Sequence, residues 1–170
     1  DVETGEQEWA FTEPTGIDSS PTVVDGTVYV GSWNDTLYAV DAETGEQEWE
    51  FTEPSDTVYS SPTVVDSTVY VGSQDDTLYA VDTETGEQEW AFTEPSNVVY
   101  SSPTVVGGTV YVGSREGALY AVNAETGDKV WEFTEPSEAV GSSPTVVNGT
   151  VYVGSDDATV YAVDAETGEQ

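Results

Sequence analysis

The side chains in this sequence that could do chemistry are almost all carboxylates. Asp and Glu number 34 against Arg115 and Lys129, and neither His nor Cys occurs. The missing thiols exclude a disulfide framework, a thiolate metal site and a cysteine nucleophile, and the missing imidazoles remove the commonest general base. Oxygen-donor and acid/base chemistry is what remains. Glu43 and Glu46 could act as an acid/base pair, but the pair and its copies fall in a turn that recurs along the chain, which fits a solvated surface. Asp75-Asp76 and Asp156-Asp157 are hard oxygen donors suited to calcium, yet they lack the spaced ligand pattern of a calcium loop. Nothing here marks a catalytic, cofactor-binding or metal-ligating residue. Two Asn-X-Thr sequons, at Asn34 and Asn148, fall in expected turns and are N-glycosylation candidates. Asn148 also suits a tight hairpin for its own sake.

The excess of acids carries information of its own. A net charge of −32 on 170 residues should push a compact state apart at low ionic strength. Screening acts over about 10 Å at 0.1 M salt and about 3 Å at 1 M. The composition therefore suits a protein whose working solvent is molar salt, as in halophilic archaea. A disordered acidic tail is excluded by five Trp, ten Tyr and four Phe in regular register. No basic stripe is offered to phosphates, which argues against nucleic acid as a partner. No stretch is long and apolar enough to span a membrane as a helix. The sequence opens on Asp1 instead of Met, as a processed product or an excised segment would. The sequons, if used, imply an exported protein, so the expected location is extracellular or at the cell surface.

These side chains must be positioned by something, and the positioning element repeats. Trp9, Trp49, Trp90 and Trp131 are spaced by 40, 41 and 41 residues. Ser-Ser-Pro triplets end at Pro21, Pro62, Pro103 and Pro144, and Val-Gly-Ser runs start at Val30, Val71, Val112 and Val153, each 41 apart. Each copy divides into four strands. In the second copy these are about 61–65, 68–72, 77–81 and 87–93. The first two are joined by Asp66-Ser67, whose counterparts are Asp25-Gly26, Gly107-Gly108 and Asn148-Gly149. Two-residue links of that kind favour the type I′ hairpin, for which Ser67 is the poor fit. Thr68–Val71 and Leu78–Val81 are apolar on both faces, as strands covered on both sides should be. In Glu46–Phe51 one face is three glutamates and the other carries the aromatics, as expected of an outer strand with one wet face. A period near 41 with four strands per copy predicts an all-β propeller built of four-stranded antiparallel blades, four repeats to the chain.

The stretch from Ala39 to Trp49, AVDAETGEQEW, resembles the tryptophan-docking motif of pyrroloquinoline-quinone (PQQ) type propeller repeats. It recurs from Ala80 to Trp90, and from Ala121 to Trp131 with Asn123 in place of Asp. The first copy is entered partway, with Thr4, Gly5 and Trp9 present, and the last stops at Gln170. The resemblance covers essentially the whole chain. It implies that the indoles of Trp9, Trp49, Trp90 and Trp131 pack between blades against turns carrying Thr4 and Gly5, Asp41, Thr44 and Gly45, Asp82, Thr85 and Gly86, and Thr126 and Gly127. Quinoprotein dehydrogenases of this fold hold PQQ and calcium on unique loops with a catalytic Asp and often a vicinal disulfide. Here the copies are nearly identical, no loop is enlarged, and no Cys pair exists. The resemblance therefore implies the fold without the enzyme, and no PQQ is expected. A structural cation on the ring axis, held by Ser and Thr oxygens of the innermost strands, is a separate expectation.

The chain reads as one domain, 1–170. Residues 1–12 would supply an outer strand or clasp, followed by repeats at about 13–53, 54–94, 95–135 and 136–170. DVETGEQ at the start and DAETGEQ at the end mark the same point of the repeat. Closure could give a clasped four-bladed ring, a strand-exchanged homo-oligomer making an eight-bladed ring, or an open fibre. The expected function is a non-enzymatic, salt-adapted scaffold or protein-interaction module, with a structural subunit of an extracellular filament or matrix as the alternative and a fragment of a quinoprotein dehydrogenase as the disfavoured third. The loops that differ between copies, Gly16-Ile17-Asp18, Thr57-Val58-Tyr59, Val98-Val99-Tyr100 and Ala139-Val140-Gly141, are the expected variable surface. Tyr59 and Tyr100 are expected in the core, with partner contact as the second reading.

Overall fold

Runs of Val, Thr and Tyr resist helix and pack well on a pleated surface, and the computed structural model contains strands and no helices among its described residues, 1 and 3–170. The first blade is β1 (Thr22–Val24), β2 (Thr27–Gly31), β3 (Leu37–Asp41) and β4 (Gln47–Phe51). The second is β5 (Thr63–Val65), β6 (Thr68–Gly72), β7 (Leu78–Asp82) and β8 (Gln88–Phe92). The third is β9 (Thr104–Val106), β10 (Thr109–Gly113), β11 (Leu119–Asn123) and β12 (Lys129–Phe133). The fourth has β13 (Thr145–Val147), β14 (Thr150–Gly154) and β15 (Val160–Asp164). Each blade is an antiparallel sheet in chain order, four-stranded in the first three and three-stranded in the last.

Local chemistry sets each turn. Asp25 and Gly26 have φ of 51° and 89°, and Asn148 and Gly149 have 51° and 80°, as the tight hairpin demands. Asp66 follows at 54°, but Ser67 is not among the positive-φ residues. The third and fourth strands of each complete blade shift register by one place, between Ala39 and Val40 in the first, which sets Ala39 opposite Trp49. The same irregularity sets Ala80 opposite Trp90 and Ala121 opposite Trp131. A small residue opposite each indole leaves the ring room to turn toward the next blade.

The core lies between blades. Tyr29, Leu37, Ala39 and Phe51 of the first blade pack on Val69, Val71, Tyr79 and Val81 of the second. The same pattern joins the second blade to the third and the third to the fourth. Three of the variable loops are not wholly surface: Val58, Val99 and Val140 are fully buried. Each lies where a Cβ added to Gly31, Gly72 or Gly113 of the preceding blade would be, at 2.5–2.6 Å from its Cγ1. Sequence variability misplaced them because a loop's central side chain can turn inward while its neighbours face water. Ile17, the equivalent in the first copy, is 46% exposed.

The clasp is not made among the described residues. Residues 8–11 form no strand, and β15 pairs only with β14. Ser20 N, Ser61 N and Ser102 N donate to the Ser Oγ one blade on, and Thr22, Thr63 and Thr104 Oγ1 donate to Pro62, Pro103 and Pro144 carbonyls. That ladder does not continue from the fourth blade to the first among the described residues, and Pro21 is exposed where Pro62, Pro103 and Pro144 are buried. The four blades form an open arc.

Candidate functional site

The feature that recurs at every blade is an indole in a socket built by the following repeat. Asp41 Oδ1 accepts from Glu43 N, Thr44 N and Thr44 Oγ1 at 3.0, 2.7 and 2.8 Å, and the turn closes with Gly45 at φ 74°. Asp82 with Thr85 and Gly86, and Asp164 with Thr167 and Gly168, repeat the arrangement. Hydrogen bonds from the Thr hydroxyl and amide hold the Asp41, Asp82 and Asp164 carboxyls below their ordinary range. Asn123 accepts the two amide bonds from Glu125 and Thr126, while the Thr126 hydroxyl turns to Asp128 Oδ2 at 2.8 Å. The turn therefore survives loss of the charge by finding another acceptor for the hydroxyl.

The turn presents a carbonyl and a bare Cα to the incoming ring. Trp9 Nε1 donates to Ala42 O at 3.0 Å, Trp49 to Thr83 O at 2.9 Å, Trp90 to Ala124 O at 3.0 Å and Trp131 to Ala165 O at 3.1 Å. A Cβ built at Gly45, Gly86, Gly127 or Gly168 would sit 2.7–2.8 Å from the Cδ2 of that ring. Trp90 and Trp131 are 8% exposed, whereas Trp49 and Trp9 are half-buried. Sequence spacing named the ring and the glycine; the accepting carbonyls could not be read from it, because their side chains are Ala or Thr and carry no signal. Thr4 and Gly5 build the same turn around Asp1, but nothing lies within 4 Å of a Cβ at Gly5. That socket holds no ring.

Gly5 and Gly86 therefore separate two costs that usually come together. Both have left-handed φ, 72° and 70°, and only Gly86 is pressed by an indole. Gly5→Ala should cost no more than about 1–2 kcal/mol, the left-handed penalty for a residue with a Cβ. Gly86→Ala should cost about 2–5 kcal/mol, because overpacking adds to that penalty. Chemical denaturation in molar salt reads both, and equal losses would remove the indole from the explanation.

The other expected residues fall as follows. Asn34 is half-buried and engaged at both ends: Nδ2 donates to Tyr38 Oη at 2.7 Å, and Oδ1 accepts from Ser32 Oγ at 2.8 Å. A glycan on Asn34 Nδ2 would have to fit beside the Tyr38 hydroxyl that this nitrogen contacts, whereas Asn148 is exposed in its hairpin. Tyr59 and Tyr100 belong to none of the buried clusters. They are half-buried and meet edge-to-face at 5.5 Å, with Arg115 5.8 Å above the Tyr100 ring. Beside them Trp33, 50% exposed, donates from Nε1 to Asp18 Oδ2 at 3.1 Å. Lys129 is held by Glu94 and Glu132 at 2.5 and 2.7 Å, and those carboxylates raise its pKa.

No group of three or more acidic side chains converges as a metal cage among the described residues. Asp75 Oδ2 accepts from Ser55 N and Tyr79 Oη, so it braces its own loop, and burial with this carboxylate beside it pushes the Tyr79 hydroxyl up to about 12. A cleft of about 600 Å³ between the second and third blades is lined by Asp66, Glu89, Glu125, Tyr70 and backbone of the Gly107-Gly108 turn, with no cation. PQQ carries carboxylates, which these acids would repel, and no aromatic pair faces across the cleft to stack it. The residues lining this cleft do not fit that group.

Comparison with known proteins agrees with this architecture. No curated protein matches the sequence. Among solved structures, the computationally designed Ika4 protein superposes with a TM-score of 0.85 at 16% identity, over 95% of this chain and 99% of that one. BamB from Moraxella catarrhalis gives 0.76 at 22% identity, over 90% of this chain and 51% of its own. The quinohemoprotein alcohol dehydrogenase ADHIIG from Pseudomonas putida HK5 gives 0.79 at 23% identity, over 91% of this chain and 33% of its own. The chain thus spans about half of BamB and about a third of the dehydrogenase. The family profile described as outer membrane protein assembly factor BamB matches residues 1–105 and 97–170, and this chain, a β-propeller of PQQ-type repeats, belongs to that family.

Proposed function

We propose that this chain is a non-enzymatic, salt-adapted propeller scaffold that presents its rim to other proteins at the cell surface. The observation that carries the reading is where the copies differ. The blade junctions repeat almost residue for residue, whereas Asp18, Tyr59, Tyr100 and Gly141, and Trp33, Gln74, Arg115 and Asp156, occupy equivalent places with different chemistry. Backbone bonds bring the two sets together, from Trp33 N to Gly16 O, Gln74 N to Thr57 O, Arg115 N to Val98 O and Asp156 N to Ala139 O. A stiff repeated body with one varied, aromatic rim suits binding. The BamB family membership supports protein contact as the task. The acidic cleft and the lack of any loop that breaks the repeat speak against the dehydrogenase chemistry of the longer neighbours.

Adding PQQ and calcium to the protein in molar KCl should leave the quinone absorbance unshifted and dye-linked alcohol oxidation at background. A bound quinone spectrum, or turnover, would overturn the non-enzymatic reading.

A further inference from the structure

We propose that the Arg115 guanidinium is the anchor for an acidic segment of a partner protein, which it holds through a side-chain carboxylate. The proposal rests on the reading of the varied rim as a binding face and names the chemistry that face selects. Arg115 is exposed on the third blade, which packs against the second on one side and the fourth on the other. Its surroundings are therefore supplied by this chain. Lys129 shows what 34 acids ordinarily do to a cation, since Glu94 and Glu132 both hold it. Among the described residues Arg115 makes no ion pair, and its guanidinium lies over the Tyr100 ring at 5.8 Å.

The loop keeps the guanidinium apart from its own acids. Glu116, next in sequence, is engaged inward: Oε1 accepts from Ser96 N at 3.0 Å and Tyr120 Oη at 2.9 Å, and Oε2 is buried. Arg115 N donates to Val98 O at 3.0 Å, and Ser114 N donates to Ala118 O at 2.9 Å. Gly117, at φ 94°, passes so close to the next loop that an added Cβ would lie 2.8 Å from Glu138 O. The backbone thus fixes which side chain turns in and which turns out, and an anchor held in place costs less to bind.

A guanidinium offers five donors in a planar fork that matches a carboxylate bidentately. Beyond it Tyr100 meets Tyr59, Asp18 lies beside the Tyr59 hydroxyl, and Trp33 donates to Asp18. Guanidinium, two phenols and an exposed indole form one run of the residue types that dominate protein-binding energy. The charge of the molecule sets the sign of the partner's contact. A basic segment would find carboxylates almost anywhere on this surface and repulsion at Arg115, so the guanidinium selects against it. A free anion or a nucleic acid would meet one exposed cation in a field of net charge −32, with no basic stripe for successive phosphates. A protein carboxylate flanked by apolar side chains fits. Molar salt screens the long-range repulsion to about 3 Å, while the bidentate pair and the aromatic run act at contact.

The test is selection of displayed random peptides on the whole chain in molar KCl, with the binders then measured on variants. The expected binders carry Asp or Glu beside apolar residues. They should lose at least about tenfold in affinity on Arg115→Gln, as for a hot-spot residue, and as much when their own acid becomes the amide. Arg115→Lys, which keeps the charge without the fork, should fall between. Arg115 is exposed, so the circular dichroism spectrum should not change. Binders that weaken on Trp33→Ala but are basic, or indifferent to Arg115→Gln, would overturn this proposal and leave the binding-face reading standing. Binders indifferent to both variants, or no binders, would overturn both. Light scattering that shows the chain pairing with itself through Arg115 would make a second copy the occupant and overturn the partner assigned here.

Discussion

Transfer from about 3 M to about 0.1 M KCl should unfold this protein at room temperature or lower its melting temperature by more than about 20 °C, since the screening length grows from under about 3 Å to about 10 Å. Two like charges 10 Å apart in water repel by about 0.4 kcal/mol. With a net charge of −32 on 170 residues, each carboxylate has several neighbours at that range, and the sum reaches on the order of 10 kcal/mol, the size of a domain's whole stability. Few cations offset it: Lys129 is already shared by Glu94 and Glu132, and Arg115 lies over Tyr100. The unfolded chain keeps part of the repulsion but spreads it over a larger volume, so low salt favours unfolding. Melting curves followed across a KCl series check this. A melting temperature indifferent to salt would remove the salt-adapted reading.

Trp90→Ala should be the most damaging single truncation, at about 3–5 kcal/mol for a buried aromatic. At about 2–4 °C per kcal/mol for a domain of this size, that is a fall of about 6–20 °C in molar salt. Three losses combine: the ring's burial between blades two and three, the bond to Ala124 O, and the tilted contact with Tyr70 at 5.8 Å. Trp9→Ala should cost much less, because Trp9 is half-buried on an unpaired segment in the single chain. Equal losses for Trp9 and Trp90 under conditions where the chain is monomeric would contradict the socket geometry described above.

Much of the socket was legible in the sequence because its parts are chemically loud. A Trp ten residues after an Ala, with an Asp-X-X-Thr-Gly turn between them, is a pattern with few other uses, and Gly45, Gly86 and Gly127 stand where a Cβ would strike the ring. The hairpins were legible for the same reason, Asp25-Gly26 and Asn148-Gly149 being residues that tolerate positive φ. Quieter parts escaped. Val58, Val99 and Val140 looked like loop residues, yet they fill the space left by Gly31, Gly72 and Gly113. Tyr59 and Tyr100 looked like core and are half-buried, stacked edge-to-face on each other outside the buried clusters. In both cases the side chain's direction depends on a neighbouring blade that lies about 40 residues away, and no local pattern encodes it.

The sequence by itself determined the unit: a four-stranded sheet of about 41 residues, its turns, the ring each sheet extends to the next, and a net charge of −32. These follow from period, side-chain volume and backbone preference, all of which act within one repeat. Only the tertiary structure decided how far four such units turn and whether their ends meet. That depends on the small rotation set at each packed junction, which accumulates over the arc. It leaves Val160 and Tyr152 in water at one end and Ile17 and Pro21 at the other.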